Sequence, residues 1–353
     1  MRVIVFGAGA TGCLFAARLA ASGLDVEIVG RPAVVRAALD AGLTVRGDRP
    51  VGPVRLSATT ELSPGSDAEV VLLTVKTFDL AAAAKALGRS LQHPVPIALL
   101  QNGLTVEERF AAELGAVGWP HPERSLVRVV HSVPSTLLAP GVVANIGEGE
   151  FVIGDRPPDH GDPAAHAVVA ETLRRIGPPV RSVPRLLREV WRKAIVNAAI
   201  NPVTADHGIV NGRLLDDPYR QQAMALLGEA RLAAELAGER FTPAETETAL
   251  FRIVRATAQN RSSMLQDIEQ GRPTEIDAIS GEILRIARAH GRELPWTARA
   301  VQRIHRRVDA ARPPAGPDPS RASEESRSGP GPGREDGAIA KRPPLRPDAP
   351  QDS

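Results

Sequence analysis

Lysine is rare in this 353-residue chain, with four lysines among 43 basic residues, yet one of the four, Lys193, lies in the apolar run from Val190 to Asn197. Arginine keeps its proton near neutral pH, whereas a partly buried lysine can release one. A position that must transfer a proton therefore cannot use the basic residue that this protein prefers elsewhere. Lys193 is the leading candidate for an acid or base, although in isolation it would pass for an ordinary lysine on a helix surface.

Two asparagines extend the same predicted helix face. Lys193, Asn197 and Asn201 are spaced i, i+4, i+8, which stacks them in one line, and Pro202 is expected to limit the helix. Asparagine is a poor helix former without a specific partner. A functional role therefore explains the pair better than a solvated polar stripe does.

A second polar line lies further along the chain. Asn260, Ser263 and Asp267 are spaced i, i+3, i+7, and the following loop carries Glu275. Glu275 could simply be a first-turn acid in a helix capped by Thr274, and Asp267 could merely hold the loop together. Asp267 therefore ranks below Ser263 and Glu275 as a substrate contact.

The first residues predict a strand, a glycine turn and a helix. The β-branched run Arg2–Phe6 is followed by Gly7, Ala8, Gly9, Ala10, Thr11 and Gly12, then by a helical pattern that ends near residue 22. In such a turn the first glycine makes the bend, the second admits a pyrophosphate and the third lets the helix pack on the strand. A second strand at Val26–Val29 completes the spacing of a dinucleotide-binding unit.

The residue after that second strand favours NADPH over NADH. An acidic side chain at this place accepts hydrogen bonds from the ribose hydroxyls of NAD, but here Arg31 follows Gly30. A guanidinium suits the 2′-phosphate of NADP, although Arg31 could also be a solvated loop residue. Arg36 could add a second phosphate contact, but nothing in the sequence singles it out.

Two further strands end in polar residues. The run from Val70 ends at Lys76 and Thr77, and the run from Pro96 ends at Gln101 and Asn102. In a doubly wound sheet the ligand lies beyond the carboxyl ends of the strands, so Lys76 and Asn102 are predicted to contact cofactor or substrate. Ordinary turn residues are the alternative.

The remaining pattern predicts the domain organisation. Strand-like segments between Val127 and Ile153 indicate a small antiparallel addition, and from Pro184 onward the periodicity is helical. The expected class is α/β, with a Rossmann-type doubly wound sheet over 1–183 followed by an all-α domain over 184–311. Residues 312–353 are rich in Pro, Gly, Ser and charge, and are expected to form a disordered tail.

The charge and cysteine content of the chain limit the classes of partner and cofactor that it is expected to bind. The net charge is +2 with acidic and basic residues interspersed, which argues against nucleic acid and favours an anionic small molecule. Cys13 is the single cysteine, so neither an internal disulfide nor a cysteine-rich metal site is expected and the cytoplasm is the default location. No membrane span or targeting segment is visible. The sequence leaves the oligomeric state open, and a homodimer is compatible with it.

In combination, these motifs resemble the ketopantoate reductase (2-dehydropantoate 2-reductase) family over roughly residues 1 to 308. The matching segments are Gly7-x-Gly9-x-x-Gly12, Lys76, Gln101-Asn102-Gly103, the helix from Trp191 to Pro202, Ser262–Asp267 and Thr274–Asp277. The resemblance implies a Rossmann domain joined to a helical domain with the active site between them. It also implies the reduction of 2-dehydropantoate to (R)-pantoate with NADPH, on the pathway to pantothenate and coenzyme A.

The resemblance further implies roles for individual residues. Lys193 and Glu275 would be the catalytic residues. Lys193 would be the general acid at the ketone oxygen, and Glu275 would bind the substrate hydroxyl, orient the reacting group and contact the cofactor. Ser263 would bind the carboxylate. Asn102 would touch cofactor and substrate, while Arg31 and Lys76 would hold the nucleotide. The other predicted polar contacts to the substrate are Asn197, Asn201, Asn211 and Asn260.

One segment departs from the family pattern. Leu126–Ser132 lacks the small, glycine-containing stretch expected before the turn at Pro140, so Arg128 or His131 could alter substrate choice. An enzyme acting on another 2-oxo acid or a β-keto acid is one alternative. The other is a regulator that senses NADPH without turnover, which would have no need for Lys193, Ser263 and Glu275 together.

Overall fold

The computed structural model describes residues 1–155 and 161–311. The chain up to Arg312 forms one compact unit. The predicted tail, 312–353, lies outside the described residues. The division of this unit into two domains near residue 184 stays a prediction.

Most strands belong to the first half of the chain. Their bounds are β1 Arg2–Phe6, β2 Asp25–Val29, β3 Leu43–Gly47, β4 Val51–Val54, β5 Ser57–Thr59, β6 Val70–Leu73, β7 Ile97–Leu99, β8 Leu126–Arg128, β9 Val130–His131, β10 Thr136–Ala139, β11 Val142–Asn145, β12 Phe151–Gly154 and β13 Val180–Val183.

Helices alternate with the strands in the first half and follow one another in the second. Their bounds are α1 Ala10–Ala21, α2 Pro32–Asp40, α3 Leu80–Ser90, α4 Val106–Ala116, α5 Pro122–Ser125, α6 Pro163–Ile176, α7 Leu186–His207, α8 Tyr219–Leu236, α9 Pro243–Ala256, α10 Ser263–Glu269, α11 Glu282–Ala289 and α12 Pro295–Ala311. Short 3₁₀ turns span Thr77–Asp79 and Asn211–Leu215, and a π-helical turn spans Asp277–Gly281.

The main sheet has six parallel strands in the order β5-β2-β1-β6-β7-β8. Its central strands β1 and β6 are apolar except for Arg2, as in parallel sheets covered on both faces, and Val3, Ile4, Val71 and Leu72 have no exposed surface. The chain order reverses between β1 and β6, which is where a doubly wound sheet opens a crevice for a ligand at its carboxyl edge. The predicted fold class is confirmed.

The predicted antiparallel addition is correct only in part. Strands β10 and β11 do form an antiparallel pair, and it joins β3 and β4 in a second sheet. By contrast, β8 belongs to the main parallel sheet, and β12 pairs antiparallel with β9 but parallel with β13. Alternation along a strand reports which face is buried, but it does not report which partner the strand chooses.

Helix α7 connects the sheet to the helical half, and it continues through Pro202, so the prediction that Pro202 limits this helix was wrong. The helix runs to His207 and ends at Gly208, whose φ of 66° is left-handed. Proline has no backbone N–H, so one i→i−4 hydrogen bond of this helix cannot form at Pro202. Burial of both flanking turns stabilises the remainder.

The second half of the unit has its own core. Beyond Val183, the described elements are helices and helical turns, and α7 packs against α8, α9, α10 and α12 as well as against β9 and β12. Among residues 1–155 and 161–311, none of the helices combines the length and apolar character that a bilayer span requires. The three-stranded sheet β13-β12-β9 and the helical layer therefore meet along α7.

The glycine turn yields a test of the fold. An added Cβ on Gly12 would lie 1.9 Å from the carbonyl oxygen of Gly7, whereas one on Gly9 would meet nothing within 4 Å. We expect Gly12→Ala to lower the free energy of unfolding by about 1–3 kcal/mol through overpacking. Gly9→Ser is the matched control and should unfold like the parent in urea, because serine suits this N-cap position. Equal destabilisation by both substitutions would contradict this account of the turn.

Candidate active site

The turn after β1 has the form that a dinucleotide pyrophosphate requires. Gly7 has a φ of 122°, and its carbonyl oxygen accepts a hydrogen bond from Thr74 Oγ1 at 2.7 Å, which ties the turn to the end of β6. Gly9 caps α1 without a side chain, so the first backbone N–H groups of that helix face open space. Ala8, Ala10, Thr11 and Gly12 lie around this anion site, and Thr11 Oγ1 is 3.1 Å from Ser135 Oγ. These residues fit a dinucleotide cofactor.

Arg31 lies beyond the carboxyl end of β2, on the same edge of the sheet. It is exposed at the N-cap of α2, and its positive charge counteracts the rise that burial causes in the pKa of Asp79. The guanidinium is therefore near the crevice and accessible to a ligand phosphate.

Lys76 joins the sheet edge to the helical half. Its Nζ lies 2.8 Å from Asp267 Oδ2 and 3.7 Å from Glu275 Oε2, and both carboxylates are buried. Although burial lowers the pKa of Lys76, the charges of Glu275 and Asp267 outweigh it and raise that pKa above its ordinary value. Arg272 completes the group by donating to Asp267 Oδ1 at 2.9 and 3.2 Å. Lys76 therefore remains a fixed cation.

Glu275 organises the adjacent part of the crevice. Its Oε1 accepts a hydrogen bond from the backbone N–H of Thr77, and its Oε2 accepts one from Asn102 Nδ2, both at 3.3 Å. The Thr274 hydroxyl is buried and has no partner among the described residues, and it caps no helix. Glu275 is therefore not a mere first-turn acid. Glu275 contacts Lys76 and Thr77 at the end of one strand and Asn102 at the end of the next.

Lys193 occupies the next position along the crevice. Its ammonium donates to the carbonyl oxygen of His131 in β9. Burial and, to a lesser extent, the nearby charge of Arg128 lower the pKa of Lys193 to about 8, with the charge of Glu275 acting in the opposite direction. A lysine with this pKa is mostly protonated at neutral pH but readily gives up its proton, as a general acid requires.

A small pocket surrounds this ammonium at the junction of sheet and helices. Its polar walls are Gln101, Asn102, Arg128, Lys193 and Asn197, and its apolar walls are Gly103, Val130, Val190, Ala194 and Ile279. Three of the predicted site residues, Asn102, Lys193 and Asn197, thus share one pocket. Glu275 adjoins it through its bond to Asn102.

Four predicted substrate contacts do not line this pocket. Asn201 is buried one turn beyond Asn197, and Asn211 is buried with its Nδ2 donating to Thr257 Oγ1 at 2.9 Å. Asn260 and Ser263 are exposed, and the carbonyl of Asn260 accepts from the backbone N–H of Asn211. Their role in binding substrate stays a prediction.

His131 is a packing residue in this arrangement. Its ring lies 5.8 Å from that of Phe15 and 6.2 Å from that of Phe151, and burial together with the charge of Lys193 lowers its pKa well below 6.5. The imidazole is therefore neutral near pH 7. Its backbone carbonyl, which orients Lys193, is the part that reaches the site.

Comparison with known proteins identifies the family. The family described as "Ketopantoate reductase PanE/ApbA" matches residues 3–158, and "Ketopantoate reductase PanE/ApbA C terminal" matches residues 185–308. The chain belongs to the ketopantoate reductase family. The predicted family and its oxidoreductase class are therefore confirmed.

Named relatives cover most of the chain. A 2-dehydropantoate 2-reductase of Archaeoglobus fulgidus is 33% identical over 80% of this chain and 90% of its own length. One of Escherichia coli O157:H7 is 30% identical over 87% of this chain and 95% of its own length. Both matches cover at least four fifths of this chain and nine tenths of the relative, in agreement with the family assignment.

Solved structures share the fold. A PanE/ApbA family ketopantoate reductase from Ralstonia eutropha JMP134 superposes with a TM-score of 0.77 at 28% identity, covering 88% of this chain and 99% of that one. A D-mandelate dehydrogenase in complex with NADH and anilino(oxo)acetate superposes with a TM-score of 0.78 at 20% identity and the same coverage. At that identity the second likeness shows the fold alone.

Sequence reasoning undervalued three members of this ketopantoate reductase site. The sequence places Asp267 below Ser263 and Glu275, yet Asp267 pairs with both Lys76 and Arg272. For Arg128 the sequence suggests only an influence on substrate choice, yet the residue lines the pocket. Arg272 returns to Asp267 through the loop between α10 and the π-helical turn, a contact that helical spacing does not predict. For Arg128, its position at the end of a predicted strand was the available signal.

The pKa of Lys193 predicts the pH dependence of turnover. An acid must be protonated, so kcat/KM should fall by tenfold per pH unit above about pH 8, the pKa that burial and Arg128 impose. Lys193→Ala should lower kcat by about 10²–10⁴-fold and remove this limb of the profile. Lys85→Ala, at an exposed position of α3, is the control and should leave the profile unchanged. Steady-state kinetics across pH would refute the assignment by showing full turnover without Lys193.

Proposed function

We propose that this protein reduces 2-dehydropantoate to (R)-pantoate with NADPH, in the formation of pantothenate and coenzyme A. The observation that carries the proposal is the Lys193 ammonium, which lies in a pocket with Asn102 and Asn197 and whose pKa is lowered to about 8. The pocket adjoins the carboxyl edge of a dinucleotide-binding sheet. A ketone held there would meet a proton donor beside the cofactor crevice.

Lys193 supplies the proton and stabilises charge. As the ketone is reduced, its oxygen gains negative charge, and an ammonium beside that oxygen lowers the energy of the transition state before it donates its proton. The carbonyl oxygen of His131 orients Nζ, and the neutral amine left behind is re-protonated from solvent. Arginine could not serve here, because it does not release a proton near neutral pH.

Glu275 and the amides orient the substrate. The Glu275 carboxylate is held by Asn102, the Thr77 N–H and Lys76, and its remaining lone pairs can accept a hydrogen bond from a substrate hydroxyl. Asn102 and Asn197 provide amide donors and acceptors on two sides of the pocket. Ser263, Asn201, Asn211 and Asn260 are proposed to contact the substrate from the helical half.

The glycine turn, Lys76 and Arg31 would hold the cofactor, with the α1 N-terminus at the pyrophosphate and Arg31 at the 2′-phosphate. When bound, the nicotinamide supplies the hydride. The preference for NADPH rests on a guanidinium standing where an NAD-binding protein presents a carboxylate. Location in the cytoplasm and the formation of a homodimer stay predictions.

The assay that tests this function follows the oxidation of NADPH by the purified full chain, with and without 2-dehydropantoate. Rapid oxidation that depends on this substrate supports the proposal. If oxidation depends only on another 2-oxo acid, the protein is a reductase of that acid. This is the second candidate function, and the presence of Arg128 in the pocket favours it. Binding of NADPH without ketone-dependent oxidation would overturn the proposed reductase activity and favour a regulator that senses NADPH.

Arg31 tests the choice of cofactor. Arg31→Ala should weaken NADPH binding by about 10–100-fold, the range for loss of a charge-assisted hydrogen bond, and leave NADH binding nearly unchanged. Arg89→Ala removes an exposed arginine from the last turn of α3 and serves as the control. Dissociation constants for both nucleotides can be measured by fluorescence titration. Equal losses for NADPH and NADH would remove the 2′-phosphate argument.

A further inference from the structure

Arg128 is a cation whose hydrogen bonding is incomplete. It is the last residue of β8 and lies opposite Leu99 of β7, at the same sheet edge as Asn102. Its Nη2 donates to the carbonyl oxygen of Gly103 at 2.9 Å. Its Nη1 is shielded from solvent and has no hydrogen-bond partner among the described residues.

The surroundings of Arg128 do not neutralise it by contact. Burial lowers the pKa of Arg128 to about 10, although the negative charges of Glu107, Glu108 and Glu275 act to raise it. In the described part of the chain, no carboxylate oxygen lies within 4 Å of its guanidinium nitrogens. A desolvated guanidinium with an unused donor costs free energy unless an anion pairs with it. The arrangement is therefore suited to an anionic ligand.

The position of Arg128 relative to Lys193 indicates which anion. Both residues line the same pocket, and Arg128 is near enough for its charge to lower the pKa of Lys193. In a 2-oxo acid the carboxylate carbon is bonded directly to the ketone carbon. Groups that bind the carboxylate and protonate the ketone must therefore be neighbours, as Arg128 and Lys193 are.

Ser263 is less well placed for this task. It is exposed at the first position of α10 and does not line the pocket that contains Lys193. Its neighbour Ser262 is the residue whose hydroxyl caps the helix, accepting from Leu265 N, and it lies 2.7 Å from Thr204 Oγ1. A neutral hydroxyl would also bind a carboxylate less strongly than a guanidinium does.

We propose that Arg128 binds the carboxylate of the 2-oxo acid substrate and so determines the preference of this enzyme for charged over uncharged ketones. The proposal rests on the proposed function and assigns a specificity residue to the same site. Nη1 pairs with a carboxylate oxygen while Nη2 stays on Gly103, which fixes the ketone oxygen beside Lys193. Lysine at this position would keep the charge but lose the planar donor set.

The kinetic test compares a charged and an uncharged substrate, 2-dehydropantoate and its methyl ester. Arg128→Leu should lower kcat/KM for the carboxylate by about 100-fold and for the ester by less than about threefold. Arg128→Lys should recover part of the lost preference, and Arg109→Leu, which removes an exposed charge from α4, should leave it intact. An equal loss on both substrates would overturn the proposal. So would a preference that Ser263→Ala removes and Arg128→Leu retains.

A binding measurement separates this proposal from the proposed function. Calorimetry on the full chain with NADPH compares oxamate, which carries a carboxylate beside a carbonyl, with uncharged oxamide. The parent should bind oxamate more tightly than oxamide, and Arg128→Leu should remove the difference. This result supports Arg128 even if 2-dehydropantoate is not reduced. Equal binding of the two ligands by the parent, or unchanged discrimination in Arg128→Leu, would reject the role of Arg128.

Discussion

The ion pairs of Lys76 hold the site together. One ammonium at the carboxyl edge of the parallel sheet lies between two buried carboxylates from the helical half, Asp267 and Glu275, and Arg272 neutralises the excess negative charge. Buried charges are tolerated only when each has a partner, so loss of any member would leave an uncompensated charge in the crevice. These ion pairs hold the loop between α10 and the π-helical turn against the edge of the sheet, so that Glu275 can hold Asn102 at the pocket wall.

The two lysines at this edge are adapted to opposite tasks by their neighbours. Lys76 is surrounded by carboxylates that raise its pKa, so it stays charged and acts as a fixed positive site. Burial, together with the neighbouring charge of Arg128, lowers the pKa of Lys193 to about 8 and allows this residue to transfer a proton near neutral pH. The difference arises from placement alone, because the two side chains are chemically identical.

The segment from Leu126 to Ser132, which the sequence predicts to depart from the family pattern, contributes to the site in two ways. Its His131 ring fills a space beside Phe15 and Phe151, and the backbone it anchors presents a carbonyl to Lys193. Arg128 lies three residues earlier and reaches the pocket from β8. The packing of His131 and the charge of Arg128 thus belong to one short stretch, and that stretch borders the ammonium of Lys193.

Local sequence determined the features that depend on short-range sterics. The glycine turn, the alternation of strands and helices, the strand ends at Lys76 and Asn102 and the polar face containing Lys193 and Asn197 all follow from backbone freedom and side-chain spacing. Only the tertiary structure decided that Lys76 pairs with Asp267 and Glu275, which are 191 and 199 residues away in the chain. It also decided that α7 continues through Pro202 and that Asn197 lines the pocket while Asn201 does not. Burial and ion pairing depend on contacts between distant segments, and no local pattern records those.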